Sequence, residues 1–145
     1  MRNVGYSSVL ELRYGQALPQ YRPMLSPYPL SLLTPASDRR TTSTFGNLRY
    51  SDDVWLDMHP HDAAACGVSD GMLVRMWNDL GEVHLRVRLT EDVRPGVVAS
   101  PKGAWLRTSD NGQTVSALAP SHYTDLCEGA CFNDARVEVA RLLGR

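Results

Sequence analysis

The chain has 145 residues, 43% of them hydrophobic, and a formal net charge of −1 at pH 7, which suits one domain with its own core. This charge gives no field that would attract nucleic acid or an anionic membrane, and no apolar run of about 18 residues is present to span a bilayer. Its three cysteines are odd in number and widely spaced, which favours free thiols and a reducing, cytoplasmic compartment. No basic segment followed by an apolar run opens the chain, so we expect no signal peptide.

Residues 1–28 are predicted to form an extended lead-in to the domain. Side chains alternate with a two-residue period from Val9 to Tyr14, which suits one strand. Prolines then recur at positions 19, 23, 27 and 29, and proline favours extended, polyproline-like chain. We therefore expect the domain itself to occupy residues 29–145.

An apolar run at residues 29–33, predicted to be a buried strand, ends in Thr34 and Pro35. Residues 36–47 follow as a polar loop that is rich in hydroxyls and carries two arginines and an amide. Hydroxyls and guanidiniums are the groups that hold phosphate and ribose oxygens. Composition alone leaves a second interpretation open, a Ser/Thr-rich surface loop.

The rest of the chain predicts many short strands and one small helix. Residues 60–66 should form the helix, which Gly67 ends, and residues 78–81 should turn a hairpin. In its second arm, Val83, Leu85 and Val87 alternate with polar residues, so one side of that arm should be buried. The predicted strands are residues 54–58, 72–77, 82–90, 97–99, 114–118 and 137–139. This pattern indicates a β-barrel.

Collinear motifs run from about residue 28 to residue 140. They are L-x-T-P at 32–35, S-T-F-G-N at 43–47, H-P-H-D at 59–62, N-D-L-G-E-V at 78–83, R-P-G-V-V at 94–98, K-G-A-W at 102–105, T-V-S-A-L at 114–118 and F-N-D-A-R-V-E-V at 132–139. In this order they resemble the molybdopterin-dinucleotide-binding domain, the C-terminal domain of the molybdopterin oxidoreductases (the dimethyl sulfoxide reductase superfamily). The resemblance implies a mainly β fold, a double-psi β-barrel of the aspartate-decarboxylase-like type with one or two short helices.

The ligand implied by the resemblance is molybdopterin guanine dinucleotide, whose pterin dithiolene holds molybdenum or tungsten in the full enzyme. Hydroxyls and main-chain N–H groups of the polar loop would contact the pterin–pyrophosphate portion, braced by Asn47. Trp105 would fix a planar ring beside the cofactor by stacking, and a plain core aromatic is the alternative interpretation of this residue. Lys102 would add a charge near phosphate. The implied cofactor-binding residues are Thr34, Thr42, Ser43, Thr44, Trp105, Ser116 and Asn133.

Three positions depart from the family pattern. Thr42 stands where relatives usually have histidine or asparagine, Ser116 where they have asparagine, and Ala119 where they have threonine. Serine keeps one donor but loses the two-ended hydrogen bonding of the amide, which puts a contact of about 1 kcal/mol in question at position 116. We therefore expect Ser116→Asn to tighten the binding of a guanine dinucleotide.

Other groupings of reactive side chains are not predicted to carry chemistry. His59 and His61 lack further metal ligands in the sequence, so we expect capping and surface roles for them. The pair Cys127 and Cys131 has no second cysteine pair to complete a zinc or iron–sulfur site. His122, with Ser121 and Asp125 beside it, lacks the order of a catalytic triad.

The resemblance implies a cofactor-binding domain of a molybdenum- or tungsten-dependent oxidoreductase, inert alone, with no catalytic or metal-ligating residue of its own. Its implied partners are the remaining domains of the parent catalytic subunit and an iron–sulfur or electron-carrier subunit. A stand-alone barrel that binds proteins remains an alternative. A self-cleaving decarboxylase of the same barrel type ranks last, since the sequence contains no Gly-Ser step.

Overall fold

Six strands close into a barrel in a computed structural model that describes residues 7–18, 21, 23–37, 41–44, 54–124 and 128–142. The strands are β1 (Leu30–Leu33), β2 (Trp55–Met58), β3 (Leu73–Asn78), β4 (Gly81–Leu89), β5 (Val97–Ala99) and β6 (Arg136–Arg141). Around the barrel they follow the order β1-β5-β2-β4-β3-β6. Closure leaves no unpaired edge strand in this ring.

The barrel mixes parallel and antiparallel neighbours. The strand β1 pairs in parallel with β5, and β2 in parallel with β4. The remaining neighbours around the ring are antiparallel, including the β3–β4 hairpin predicted around residues 78–81. Parallel neighbours need crossover connections, and two such pairs in a closed ring of six strands make the predicted double-psi barrel. The predicted fold class is confirmed.

The core lies inside the barrel and follows the two-residue period of the strands. In β4, the residues Val83, Leu85 and Val87 are at most 3% exposed to solvent. The intervening Arg86 and the following Arg88 point the other way and are exposed. The predicted burial of one side of β4 is confirmed. Such burial of apolar surface is the main stabilising contribution to folding.

The helix α2 (Pro60–Cys66) has the bounds that the sequence predicts. His59 is its N-cap, and its ring Nδ1 accepts a hydrogen bond from the main-chain N–H of His61. This confirms the capping role expected for His59. The buried carboxylate of Asp62 accepts a hydrogen bond of 2.6 Å from the main-chain N–H of Gly96, and so fixes the turn that leads into β5.

The helix α1 (Ser8–Tyr14) lies where the sequence predicts a strand, and that prediction was wrong. The Ser7 side chain caps the helix by accepting a hydrogen bond from the N–H of Leu10, and Gly15 ends the helix in the left-handed conformation. These end signals outweigh a two-residue period that extends over only six residues. Within the described residues, no helix is both long enough and apolar enough to cross a membrane.

A 3₁₀-helix at Val115–Leu118 replaces the predicted strand at residues 114–118, so that prediction was also wrong. Val115 and Leu118 are the buried residues of this helix, and their spacing of three matches the 3₁₀ period. The sequence pattern of alternating side chains cannot distinguish this case over so few residues. Two further 3₁₀-helices lie at Leu106–Thr108 and Phe132–Asp134.

Candidate functional site

The segments that follow β1 and β5 continue side by side beyond the sheet. The main-chain N–H of Ser100 donates to the carbonyl oxygen of Leu33 at 3.0 Å, and that of Lys102 donates to the carbonyl oxygen of Pro35 at 3.0 Å. Thr34 is half-buried within this pairing. The parallel pairing of β1 with β5 therefore brings the L-x-T-P and K-G-A-W motifs together at one end of the barrel.

Gly103 lies directly against the polar loop. Its φ is +92°, and a Cβ atom built there would lie less than 3.0 Å from the main-chain carbonyl oxygen of Thr42. Only glycine combines this backbone conformation with so close an approach. Thr42 itself has a φ of 54°, which is unusual for a β-branched residue and stores strain.

The turn at residues 41–44 is organised around one carbonyl oxygen. The hydroxyls of Thr42 and Thr44 each donate to the carbonyl oxygen of Thr41 at 2.7 Å, and the main-chain N–H of Thr44 donates to it at 3.1 Å. All four residues of the turn are exposed. Thr42 and Thr44 thus bond inward, and each must turn its hydroxyl proton outward to donate to a ligand, at a cost of about 1 kcal/mol.

Trp105 is hydrogen-bonded to the same turn. Its indole N–H donates a 2.6 Å hydrogen bond to the carbonyl oxygen of Ser43. The guanidinium carbon of Arg107 lies 4.4 Å from the centre of the Trp105 ring, within the range of a cation–π contact. The indole N–H and one ring face of Trp105 are thus engaged within the chain.

Sequence reasoning missed three residues of this site: Arg107, Gly103 and Ser100. Arg107 is exposed and adds a guanidinium to the site. Its position two residues after the K-G-A-W motif was the sequence signal that could have identified it. The hydroxyl of Ser100 is fully buried and has no hydrogen-bond partner among the described residues, although it adjoins the Thr34 segment. The exposed guanidinium of Arg107, the hydroxyls of the turn at residues 41–44 and the ring of Trp105 are groups that suit a phosphate-bearing ligand with a planar ring.

Ser116 and Asn133 belong to a second group. Both are exposed, on the 3₁₀-helices Val115–Leu118 and Phe132–Asp134. The side-chain amide of Asn78 joins these regions, because it donates to the carbonyl oxygens of Leu118 at 2.9 Å and Arg136 at 3.1 Å. The predicted site residues therefore lie partly beside the turn at residues 41–44 and partly on these two 3₁₀-helices.

Two predicted contributors remain to be placed. Lys102 is exposed at the position where its main chain pairs with Pro35. Asn47, predicted to brace the loop, lies outside the described residues. Cys66 forms no disulfide, as predicted, whereas Cys127 and Asp125 also lie outside the described residues.

Comparison with known proteins identifies the family. Residues 30–136 match the family model of the molybdopterin dinucleotide binding domain. The dimethyl sulfoxide reductase DmsA of Haemophilus influenzae is 33% identical over 129 residues, which cover 83% of this chain and 16% of that protein. The dimethyl sulfoxide/trimethylamine N-oxide reductase of Rhodobacter capsulatus is 45% identical over 96 residues, which cover 60% of this chain and 12% of that protein.

Among solved structures, acetylene hydratase from Pelobacter acetylenicus has the same fold, with a TM-score of 0.70 and 18% identity. The alignment covers 94% of this chain and 23% of that one. The chain thus spans less than a quarter of each of these three proteins. The family that the sequence motifs predict is confirmed, and the chain belongs to the molybdopterin dinucleotide-binding domain family.

Proposed function

We propose that this chain is the domain that holds molybdopterin guanine dinucleotide within the catalytic subunit of a larger molybdenum-dependent oxidoreductase. The family match over residues 30–136 supports this, as do relatives named dimethyl sulfoxide reductases in which the matched segment is 16% or less of the length. The observation that carries the proposal is the turn at residues 41–44, held between Gly103 and the indole N–H of Trp105. Tungsten is the alternative metal.

The first group of residues takes the phosphate-bearing part of the cofactor. Thr34 and the turn at 41–44 supply hydroxyls, and Arg107 supplies a guanidinium that the Trp105 ring already holds in place. A cation oriented in advance loses less side-chain entropy when a phosphate binds. When bound, the cofactor supplies the metal-centred redox chemistry, while these residues bind it, orient it and shield it from water.

The second group takes the other end of the dinucleotide. Ser116 and Asn133, both exposed, present a hydroxyl and an amide on two 3₁₀-helices, and these groups suit the polar edge of a guanine base. Asn78 links the first of these helices to the start of β6, two residues after the second, through its hydrogen bonds to Leu118 and Arg136. An elongated ligand with a ring at each end requires two such groups.

The parent enzyme contributes what this domain lacks. Substrate choice and the protein ligand of the metal reside in the remaining domains of the catalytic subunit, and electrons pass to or from an iron–sulfur or carrier subunit. Large apolar side chains before the barrel support a covering partner domain, because Leu12 is 91% exposed and Leu25 is 92% exposed. The thiol of Cys66, which forms no disulfide, supports a reducing, cytoplasmic location.

The test is to purify the protein that carries this sequence from its native source and to measure its intact mass, molybdenum, tungsten and pterin. The proposal predicts a longer chain, or a complex, that contains one of the two metals together with a guanine-dinucleotide pterin. Recovery of the 145-residue chain alone, free of metal and pterin, would contradict it. That outcome would favour a stand-alone barrel that binds other proteins.

A further inference from the structure

A short antiparallel contact closes the loop that precedes β6. Tyr123 and Ala130 form an isolated antiparallel bridge. Beside it the main-chain N–H of Thr124 donates to the carbonyl oxygen of Gly129 at 2.8 Å, and the Gly129 N–H donates to the Thr124 hydroxyl at 2.9 Å. The bridge register makes the residues just outside the pair neighbours of each other. Those residues are His122 and Cys131.

A 3₁₀-helix then adds a carboxylate to this pair. The N–H of Asp134 donates to the carbonyl oxygen of Cys131 at 3.0 Å, and residues three apart in a 3₁₀ turn lie above one another. The imidazole Nε2 of His122 lies 3.1 Å from the carboxylate Oδ2 of Asp134. The imidazole, thiol and carboxylate ligand atoms of the three residues all lie within 4.8 Å of one another.

We propose that His122, Cys131 and Asp134 bind a divalent transition-metal ion of the zinc class, with a fourth coordination position left for water or a small ligand. In tetrahedral zinc sites, bond lengths of about 2.0–2.2 Å to nitrogen and oxygen put those two atoms about 3.3 Å apart. The observed imidazole–carboxylate distance of 3.1 Å already matches this spacing. A zinc–sulfur bond of about 2.3 Å requires sulfur about 3.6 Å from the nitrogen, and all three ligand atoms already lie within 4.8 Å of one another.

The ligand types select the metal class. One nitrogen, one sulfur and one oxygen suit zinc and similar borderline ions, whereas magnesium and calcium prefer oxygen alone. The side chains of His122 and Asp134 are 52% and 42% exposed, so the ion has access from solvent. Both residues also line a pocket of about 340 Å³, together with Tyr28, Asn78 and Arg136. That pocket offers space for a ligand in the fourth position.

The spacing of the three residues along the sequence does not indicate this metal site. The sequence groups Cys131 with Cys127, and His122 with Asp125, by their short spacing. The fold instead places Cys131 and His122 beside Asp134. The bridge and the 3₁₀ turn together bring a histidine and an aspartate twelve residues apart into contact. The proposal depends only on these three residues, and cobalt binding by the chain can be measured whether or not the barrel binds a dinucleotide.

The test is a titration of the purified 145-residue chain with Co²⁺, a spectroscopic substitute for Zn²⁺. The proposal predicts a thiolate-to-cobalt charge-transfer band in the near ultraviolet and visible bands of tetrahedral cobalt, both saturating at one ion per chain and both abolished by added Zn²⁺. In Cys131→Ala the charge-transfer band should disappear. In His122→Ala and Asp134→Asn the affinity for cobalt should fall by at least about tenfold.

Matched controls come from the other half of the chain. Cys66→Ala removes a free thiol far from the cluster in sequence, and His61→Ala removes a histidine that also lies beside an aspartate, 3.3 Å from Asp62. Both variants should keep the full cobalt spectrum, and circular dichroism should show that every variant is folded. Absence of the band in the natural sequence would overturn the proposal. Its persistence in folded Cys131→Ala, or its loss in Cys66→Ala, would also do so.

Discussion

The indole N–H of Trp105 donates a 2.6 Å hydrogen bond to the carbonyl oxygen of Ser43, a residue 62 positions earlier in the chain. This bond joins the turn at residues 41–44 to the segment that follows β5, and Gly103 lets the two backbones meet. Two motifs that are remote in sequence thereby become one surface. The parallel pairing of β1 with β5 places the beginnings of the two segments side by side.

Trp105→Phe should weaken the binding of GDP severalfold while leaving the barrel folded. Phenylalanine keeps an aromatic face but has no indole N–H, so the bond to Ser43, of about 1 kcal/mol, is lost. Isothermal titration calorimetry measures the affinity. The matched control is Trp55→Phe, because Trp55 also donates its indole N–H, to Asp57, and also lies against a guanidinium, that of Arg88 at 4.0 Å. Equal losses of affinity in the two variants would contradict the role given to Trp105.

Gly103→Ala should displace the turn at residues 41–44 and lower the affinity for GDP. The new methyl group would meet the Thr42 carbonyl oxygen, and the residue would be strained at a φ of +92°. Gly112→Ala separates the two effects, since Gly112 has a φ of +72° with no atom within 4 Å of a built Cβ. Gly112→Ala should cost about 1 kcal/mol of unfolding free energy and leave GDP affinity unchanged. If Gly103→Ala binds GDP normally, the close contact is not what shapes the site.

Ser116→Asn should tighten the binding of GDP. The asparagine amide offers a donor and an acceptor to the guanine edge, where serine offers one hydroxyl, and a gain of about 1 kcal/mol corresponds to about fivefold in affinity. Ser121→Asn, another exposed serine, tests whether any added amide has this effect. An affinity that is unchanged or lower in Ser116→Asn would remove Ser116 from the site.

Cys66 should make the stability of the domain fall at alkaline pH. Burial raises the pKa of its thiol above the ordinary value of 9.0, and the charges of Asp62 and Glu138 add to this effect. The folded state therefore holds the thiol proton more tightly than the unfolded state does. The contribution of this proton to the free energy of unfolding is complete below pH 9.0 and is lost as the pH rises through the folded pKa.

Urea unfolding at about pH 7 and about pH 10 measures this effect. Between these two pH values Cys66→Ala should lose less unfolding free energy than the natural sequence does. Groups that titrate in both proteins cancel in the comparison. An equal loss in the two proteins would show that the thiol has the same pKa in the folded and unfolded states.

The strands of the barrel were predictable because their signals are local. The clean alternation of β4 and the Pro60-to-Gly67 helix pattern fix which residues are buried and where the helix ends. The strand predicted at residues 114–118 failed because a four-residue segment can bury Val115 and Leu118 with a period of three. At α1, the capping residues Ser7 and Gly15 were the stronger signal.

The site was only partly predictable, for a different reason. The hydroxyls of residues 42–44 and the ring of Trp105 stand out in the sequence, but their mutual contact depends on long-range pairing. Nothing local reveals that Thr42 and Thr44 bond to the Thr41 carbonyl oxygen, or that the Ser100 hydroxyl is buried without a partner among the described residues. Arg107 becomes a candidate only when its guanidinium is seen over the Trp105 ring.

The most direct test of the central claim uses the three tryptophans as reporters, at positions 55, 77 and 105. The ¹⁵N-labelled chain is titrated with GDP, and the three indole N–H resonances are followed by nuclear magnetic resonance. We predict a saturable shift of the Trp105 resonance, together with main-chain shifts at Thr34 and residues 41–44, while the Trp55 and Trp77 resonances stay in place. Spectra that GDP leaves unchanged, or shifts confined to Trp55 or Trp77, would contradict a dinucleotide site at this end of the barrel.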